Sequence, residues 1–309
     1  MRKETLYFDS RDGVSKIYAV KWIPEGNPKA ILQITHGMAE YAERYDDFAS
    51  YMTEHGFLVV GDDHLGHGKT AGVNQSQLGY ICKKHSDTVM VRDEHRLKKT
   101  IQEEYPGLPY FVLGHSMGSF IIRNYIYRYG TGINGAIIMG TGMQPKALLR
   151  FSLGLAAIQR VLLGGDHVAG FIDKLAFGTY NKRTNKDDTS AGWLTKDKSI
   201  QERYINDPHA GFTFTVNGFE TLFKLIWNLH DRKNLEKMPK DLPILVTSGD
   251  EDPVGNYGEA VKQVYESYKE LGIKDVTLRM YPGCRHEILN ETEKDQVYED
   301  IRTWIELHM

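Results

Sequence analysis

Three things are scarce in this 309-residue sequence: cysteine, an excess of either charge, and long apolar runs. The two cysteines, Cys82 and Cys284, are too few and too far apart for a disulfide framework or a zinc cluster, so a reducing compartment, the cytoplasm, is expected. The 38 basic and 41 acidic residues leave a net charge of −3, and no long basic run is present. The sequence therefore lacks the positively charged surface that nucleic-acid binding needs. With 41% hydrophobic and 26% charged residues, the composition is that of a globular protein.

The sequence also lacks the signals for export and for membrane insertion. Met1 to Thr5 lead directly into a strand-like segment, without the apolar core of a signal peptide. The most apolar stretch, Ala147 to Leu163, is interrupted by Arg150 and Arg160, so we do not expect it to span a membrane. It is either a buried helix, which we favour, or a surface that settles on lipid with its two arginines reaching toward headgroups.

Short apolar runs alternate with helical periodicity along most of the chain. A hairpin arm at residues 16–23 precedes five runs with the composition of strands buried on both faces. These runs are residues 30–34, 57–60, 110–113, 136–139 and 244–246. Helical patterns cover residues 45–54, 86–104, 117–129, 257–271 and 292–307, the last of which Asn290 and Glu293 are expected to cap. This alternation predicts an α/β fold, in which helices cover both faces of a mostly parallel sheet.

One interval is too long for an ordinary crossover between strands. About a hundred residues separate Gly140 from Pro243, whereas a helical crossover needs about 25 to 30. The surplus predicts a helical cap inserted after the sixth strand, above the sheet edge where α/β proteins bind ligands. The expected division is a core of residues 1–143, a cap of residues 144–229, and a second part of the core at residues 230–309.

Gly114-His115-Ser116-Met117-Gly118 matches the pattern G-x-S-x-G between a predicted buried strand and a predicted helix. In this context the pattern indicates a nucleophile elbow, because the glycines allow a tight turn that leaves the Ser116 hydroxyl exposed. The alternative is a glycine-rich turn whose serine only caps the helix.

A nucleophilic serine needs a histidine to accept its proton and a carboxylate to orient that histidine. His286 follows a predicted strand at residues 276–281, and the acidic loop after residues 244–246 offers Asp250 and Asp252. The order serine, aspartate, histidine is that of hydrolases with this elbow. Asp252 precedes a proline and is biased toward extended backbone, but both aspartates remain candidates. His286 could instead be a solvent-facing turn residue or a cap of the last helix.

Two further strand exits carry histidine and glycine. The exit Thr35-His36-Gly37-Met38 suggests an oxyanion hole formed by the backbone amides of Met38 and Met117, although an ordinary turn is the alternative. His64 and His67 could suggest a metal, but no third ligand lies at a telling spacing. We therefore expect neither a metal nor a cofactor.

Together these motifs resemble the monoacylglycerol lipase and lysophospholipase branch of the α/β-hydrolase superfamily, which is often grouped with serine aminopeptidases. The resemblance covers nearly the whole chain outside the cap and rests on residues 36–40 with 44–45, 63–68, 114–118, 249–252 and 281–287. It implies that Asp252 is the acid of the triad, and that Glu40, Arg44 and His115 form the polar end of the pocket, where a glycerol-like alcohol would lie. Tyr41 departs from the family, which often has histidine there, and the cap is not matched.

The residues and the resemblance together predict a serine hydrolase that cleaves carboxylic esters through an acyl-enzyme. The expected substrate is a small ester with an apolar acyl group, a monoacylglycerol or a lysophospholipid, whose chain lies under the cap. The cap could also contact a membrane transiently. One alternative is an aminopeptidase or amidase with the same triad, and another is a non-catalytic ligand-binding protein. Cys284 is expected to be a passive small side chain near His286, and the alternative is that it makes the site sensitive to thiol reagents.

Overall fold

The computed structural model describes all 309 residues, which form one eight-stranded sheet with helices on both faces. The strands are β1 (Arg2–Asp9), β2 (Lys16–Ile23), β3 (Ala30–Thr35), β4 (Phe57–Asp62), β5 (Tyr110–His115), β6 (Gly135–Met139), β7 (Ile244–Gly249) and β8 (Val276–Tyr281). The helices are α1 (Asp46–Glu54), α2 (Gly68–Asn74), α3 (Ser86–Glu104), α4 (Met117–Tyr129), α5 (Lys146–Leu163), α6 (Gly170–Phe177), α7 (Lys198–Asn206), α8 (Val216–Asn228), α9 (Arg232–Leu235), α10 (Glu259–Glu270) and α11 (Lys294–Leu307).

The sheet is mostly parallel, as the sequence predicted. Its strand order is β1-β2-β4-β3-β5-β6-β7-β8, with β2 antiparallel to both β1 and β4 and all other neighbours parallel. The carboxyl ends of β3 to β8 therefore lie along one edge of the sheet. The loops that leave β3, β5, β7 and β8 at this edge carry the predicted site residues.

Burial on both faces explains why the central strands are apolar without interruption. Along β5, Tyr110 and Val112 belong to one hydrophobic core, whereas Phe111 and Leu113 belong to the core on the opposite face. Helices α1 and α11 cover the second core, and α3, α4, α8 and α10 cover the first. Every side chain of β5 is buried, so a polar residue there would lose hydration on either face.

Each predicted strand and helix is present, with ends displaced by no more than three residues. The sequence did not indicate α2, whose two glycines are poor helix formers. Tertiary contacts hold this helix instead: the Asp63 carboxylate accepts the Lys69 amide at 2.7 Å, and Thr70 Oγ1 accepts the Tyr18 amide at 2.8 Å.

The predicted capping of α11 by Asn290 and Glu293 is wrong. The helix begins at Lys294 and no side chain caps it. Asn290 Nδ2 donates to Glu287 Oε2 at 2.9 Å, and the Glu293 carboxylate accepts from Lys196 Nζ at 2.9 Å. A local partner of Asn290 and a cap-region partner of Glu293 therefore take both side chains away from the helix end.

Helices α5 to α8 lie in the long interval between β6 and β7, where the sequence predicted a cap. The favoured interpretation of α5 as a buried helix is wrong, because only Leu149 and Ala156 of that helix are buried. It packs on α8 along this narrow stripe, with Leu153 and Leu155 half-buried against the core, and turns most of its other apolar side chains outward. Several large apolar side chains of α5 and α6 are exposed, and we call them the cap face. They are Leu148, Phe151, Ile158, Val161, Leu162, Leu163, Phe171 and Leu175.

None of the helices is both long and apolar enough to cross a membrane. The division of the chain at residues 143/144 and 229/230 stays a prediction. Helix α8 packs against α3 and α4 of the core as well as against α5, so it joins the cap to the core.

Candidate active site

Ser116 occupies a strained turn between β5 and α4. Its backbone has φ 54° and ψ −119°, a conformation that few residues other than glycine adopt. A side chain at Gly114 would clash with the Gly118 carbonyl, and one at Gly118 would clash with the Thr35 carbonyl at the end of β3. Both glycines are therefore required for the turn to close. The Ser116 side chain makes no capping bond to α4, which contradicts the interpretation of this serine as a helix cap.

Asp252 lies behind His286 in a fully buried pair. The Asp252 Oδ2 atom accepts from His286 Nδ1 at 2.9 Å and from Ser248 Oγ at 2.8 Å, while Oδ1 accepts the Val254 amide at 2.8 Å. Burial alone would raise the pKa of Asp252, but the nearby His286 and these three hydrogen bonds lower it below its ordinary value. The carboxylate is thus held ionised where it can orient the imidazole.

Asp250, the other aspartate of the acidic loop, is exposed and makes no hydrogen bond to His286. Its Oδ1 accepts the Gly283 amide at 2.7 Å, which ties together the loops after β7 and β8. His286 itself is 1% exposed, so it is neither a solvent-facing turn residue nor a cap of α11.

The loops of Ser116 and His286 meet through His115. His115 Nε2 lies 3.2 Å from the His286 carbonyl oxygen, and the two imidazole rings are 4.7 Å apart. Gly140, at the end of β6, fits against both rings, since a Cβ atom there would lie 3.1 Å from each. No hydrogen bond joins Ser116 Oγ to His286, a contact that often tightens only when substrate binds. The Trp193 ring of the cap region covers His286 at 5.0 Å.

The turn after β3, residues 36–39, lies directly against Ser116. A Cβ atom on Gly37 would be 3.1 Å from the Ser116 Cβ atom, so only glycine allows this approach. The Met38 amide has no acceptor within the protein, and neither does that of Met117, the first residue of α4. Two free backbone donors therefore flank the serine on adjacent turns.

A buried charged cluster packs against the loops around Ser116, which we call the rim. Arg44 makes a bidentate ion pair with Glu287 at 2.8 Å and 2.8 Å, and it also donates to Glu40 Oε2 at 2.7 Å. The other oxygen of Glu40 accepts the Gly37 amide at 2.5 Å and lies 3.2 Å from His115 Nδ1. We call these four side chains, Glu40, Arg44, His115 and Glu287, the Arg44 cluster.

The charges of the Arg44 cluster compensate one another. Burial would raise the pKa of both carboxyls, but His115 and Arg44 lower the pKa of Glu40, and Arg44 lowers that of Glu287. Burial would lower the pKa of His115, but its hydrogen bond to Glu40 and the charges of both carboxylates raise it. The predicted pocket residues Glu40, Arg44 and His115 thus lie beside Ser116, with their polar groups bonded to one another and to neighbouring loops.

Sequence reasoning assigned no role to Glu287. The feature that could have identified it is its position directly after His286. That loop has to contact the turn after β3 if His286 is to reach Ser116. The Glu287 amide also donates to the Leu194 carbonyl at 2.7 Å, and the Arg44 guanidinium lies 4.8 Å from the Tyr204 ring. The cluster therefore touches the cap region as well as the rim.

His64 and His67 do not face a common point. His67 is held by the Leu65 carbonyl, 3.0 Å from its Nδ1, and accepts the Ala39 amide at its Nε2. The Nδ1 atom of His64 instead faces Asp62 and Glu94 in the interior. No histidine, cysteine or carboxylate cluster suited to a metal includes Ser116, Asp252 or His286.

Comparison with known proteins places this chain in a family. The family described as serine aminopeptidase, S33, matches residues 26–293. The chain is 28% identical over 300 residues to a monoacylglycerol lipase of Mycolicibacterium smegmatis, covering 96% of this chain and 95% of that protein. It is 29% identical over 297 residues to the monoglyceride lipase of Rattus norvegicus, with 92% and 84% covered.

A solved structure is similar over the full length. The thermostable carboxyl esterase of Bacillus coagulans, crystallised with glycerol, superposes with a TM-score of 0.90 at 33% identity and covers 100% of this chain and 99% of its own. The cap region is included in this match. The chain therefore belongs to the serine aminopeptidase S33 family of α/β-hydrolases, in the branch that contains the monoglyceride lipases, and is a hydrolase of the lipase and esterase type.

Proposed function

We propose that this protein hydrolyses carboxylic esters with Ser116 as nucleophile, His286 as general base and acid, and Asp252 as the carboxylate that orients His286. The observation that carries the proposal is the buried 2.9 Å contact between His286 and Asp252 at the sheet edge that also bears the strained Ser116 turn. Because Nδ1 of His286 is engaged by Asp252, Nε2 is the nitrogen that remains to accept the serine proton.

In the first half of the reaction, Ser116 Oγ attacks the ester carbonyl and its proton passes to His286 Nε2. The carbonyl oxygen gains negative charge and accepts from the free amides of Met38 and Met117. The tetrahedral intermediate then collapses, the carbon–oxygen bond to the alcohol breaks, and His286 returns the proton to the departing alcohol. Ser116 is left as an acyl ester.

In the second half, a water molecule attacks the acyl ester while His286 Nε2 accepts its proton. The same two amides stabilise the second oxyanion. When this intermediate collapses, the proton returns to Ser116 Oγ and the carboxylic acid leaves. Asp252 stays ionised throughout and stabilises the charged imidazole in each half.

We propose monoacylglycerols or lysophospholipids as substrates, with the acyl chain under the cap and the alcohol near Glu40, Arg44 and His115. The names of the relatives and the glycerol complex of the esterase support this class. An aminopeptidase would need a free carboxylate for the substrate amine, and both oxygens of Glu40 already accept hydrogen bonds. The geometry therefore favours the ester reaction.

We propose further that the cap face contacts lipid surfaces when substrate is delivered. Its exposed side chains include Phe151, at 64% exposure, and Leu162, at 74%. Arg150 lies among them on α5 and can reach toward headgroups. We also propose that the enzyme acts in the cytoplasm, in keeping with its two unpaired cysteines.

The test is a panel of purified substrates with the wild type and with Ser116→Ala. The wild type should cleave monoacylglycerols or lysophosphatidylcholines in preference to aminoacyl anilides, and Ser116→Ala should lose about 10⁴- to 10⁶-fold in turnover with its fold intact. A fluorophosphonate probe should label the wild type at Ser116. A Ser116→Ala variant that keeps most of its activity would reject the triad, and an unlabelled wild type would favour a non-catalytic protein.

A further inference from the structure

Three side chains that the proposed mechanism does not use are buried together beneath the turn after β3. Asp62 ends β4, His64 lies in the loop that follows, and Glu94 lies in the middle of α3. All three are buried, with exposures of 1%, 3% and 0%. One donor atom from each, His64 Nδ1 and a carboxylate oxygen from Asp62 and from Glu94, lies within 4.8 Å of the other two.

The carboxylates of this group lack partners. Both oxygens of Asp62 and Oε1 of Glu94 are buried and accept no hydrogen bond. The group nearest to them is His64 Nδ1, at 3.6 Å from Asp62 Oδ2 and 3.4 Å from Glu94 Oε1, and neither contact has the geometry of a hydrogen bond. No lysine or arginine contacts either carboxylate. Buried carboxylate oxygens without donors are strongly unfavourable unless the carboxyl is protonated or a cation lies between them.

The outer atoms of the same side chains are held by other groups. The His64 Nε2–H group donates to the His36 carbonyl oxygen at 3.1 Å, which leaves Nδ1 directed at the carboxylates. Glu94 Oε2 accepts from Gln33 Nε2 and from Thr35 Oγ1 at 2.8 Å, which leaves Oε1 directed at the same point. Metal-binding histidines are held in this way, with the second ring nitrogen bonded to a carbonyl or a carboxylate.

We propose that Asp62, His64 and Glu94 bind a zinc ion. Zinc ligands lie about 2.0–2.2 Å from a tetrahedral ion, which places neighbouring donor atoms roughly 3.3–3.5 Å apart. The distances from His64 Nδ1 to the two carboxylates, 3.4 Å and 3.6 Å, match this separation. The three side chains supply one ligand atom each, which is the set found in zinc sites whose fourth position is taken by water. One imidazole nitrogen among so few ligands favours zinc over magnesium or calcium, which take six or more oxygen ligands.

The ion is structural and acts on the turn that carries Met38. His64 is joined to His36 twice, since its amide donates to His36 Nε2 at 3.0 Å, and the two rings stack at 3.8 Å. Glu94 is joined to Thr35 at the end of β3. An ion that fixes His64 and Glu94 would therefore fix residues 35 and 36, two positions before the proposed oxyanion donor.

The experiment measures zinc content and stability of the full-length protein. The wild type is produced with and without added ZnCl₂, and the metal is counted by mass spectrometry after dialysis against a weak chelator. We expect one zinc per chain in the supplemented protein and a rise in Tm over the zinc-free protein, because an ion bound only to the native state stabilises it. A folded wild type without zinc, whose Tm does not respond to the metal, would overturn the proposal.

Two variants separate this site from adventitious binding on the surface. Glu94→Gln removes one ligand and should weaken zinc binding by more than about 100-fold. Asp93→Asn is the matched control, because Asp93 is a buried neighbour that bonds instead to Ser10 Oγ at 2.7 Å and to the Arg11 amide at 2.6 Å. It should retain the metal. Equal zinc in wild type and Glu94→Gln would reject the site, and Asp62→Asn provides the same comparison if Glu94→Gln does not fold.

Discussion

The rim around Ser116 and the face of the cap are built in opposite ways. At the rim, buried polar atoms meet specific partners, as in the Arg44 cluster and in the pair of Asp252 and His286. On the cap face, large apolar side chains such as Phe151 and Phe171 lie in solvent with few neighbours. Directional hydrogen bonds suit a reaction centre, where the reacting atoms have to be placed to within an ångström. Apolar contacts are not directional, so they tolerate an acyl chain in several positions.

The largest fall in activity is predicted for removal of the buried Asp252 carboxylate at the rim. Asp252→Asn should lower kcat on p-nitrophenyl butyrate by about 10⁴-fold, because the amide would favour the wrong histidine tautomer. Asp250→Asn is the matched control and should cost less than about tenfold, since Asp250 is exposed and bonds only the Gly283 amide. The opposite ranking would mean that Asp250 is the acid.

Arg44→Met should be the next most damaging change. It leaves Glu40 and Glu287 without their counter-charge and frees the turn after β3, so kcat should fall about 10²-fold while KM changes little. Arg160→Met, on the exposed side of the cap, loses only a contact with Glu220 and should leave kcat unchanged. These values refer to p-nitrophenyl butyrate, which lacks the glycerol of the proposed alcohol site. An unchanged kcat on this ester would show that Arg44 does not hold the turn after β3.

Replacing two phenylalanines of the cap face by serine should lower activity less, and only on some substrates. The double variant Phe151→Ser, Phe171→Ser should lose at least about fivefold in activity on monoacylglycerol presented in vesicles, because less apolar surface can enter the lipid. Activity on soluble p-nitrophenyl butyrate should not change. Val14→Ser removes an apolar residue that is even more exposed, in the turn between β1 and β2, and serves as control. Equal losses on both substrates would place the defect at the rim.

The Arg44 cluster also predicts how stability depends on pH. The pKa values of Glu40 and Glu287 lie below their ordinary value of 4.5, so their ionisation stabilises the folded state above about pH 4.5. That contribution is lost as the pH falls through the lowered values. Tm of the wild type should therefore drop below pH 4.5 more steeply than Tm of Glu287→Gln, as measured by calorimetry. Parallel curves would show that the pair is not ionised in the folded protein.

The smallest expected effect is that of thiol reagents. Burial raises the pKa of Cys284 to about 12, and its side chain is 1% exposed, so almost no reactive thiolate forms at neutral pH. Treatment with N-ethylmaleimide should leave esterase activity unchanged although His286 is two residues away. Inactivation that Cys284→Ala prevents would show that the loop after β8 opens.

Much of the fold and part of the site could be predicted because their signals are local. The apolar run of β5 and the periodicity of α4 bracket the Ser116 turn, and Gly114 and Gly118 lie where backbone approaches backbone. The position of His286 followed from the strand before it. Each of these patterns spans only a few residues, so neighbouring positions in the chain carry the information.

Other parts of the site depend on contacts between distant segments. Asp250 and Asp252 share one loop, and only the packing of the loops after β7 and β8 turns Asp252 inward to His286. Glu94 has no local feature that relates it to His64, since α2 and the first half of α3 lie between them in the chain. The capping prediction for Asn290 failed for a local reason, since its side chain bonds to Glu287, three residues earlier.

The sequence by itself determined the parallel sheet, the serine turn and the order of the residues that follow it, because periodicity and glycine placement act within single elements. Local patterns left both aspartates open and only the family resemblance pointed to Asp252; the tertiary structure decided how Asp252 meets His286, which charges compensate Arg44, and which face of α5 remains in solvent. Those outcomes depend on the distance between loops far apart in the chain, and burial gives such contacts their strength by removing the competing water.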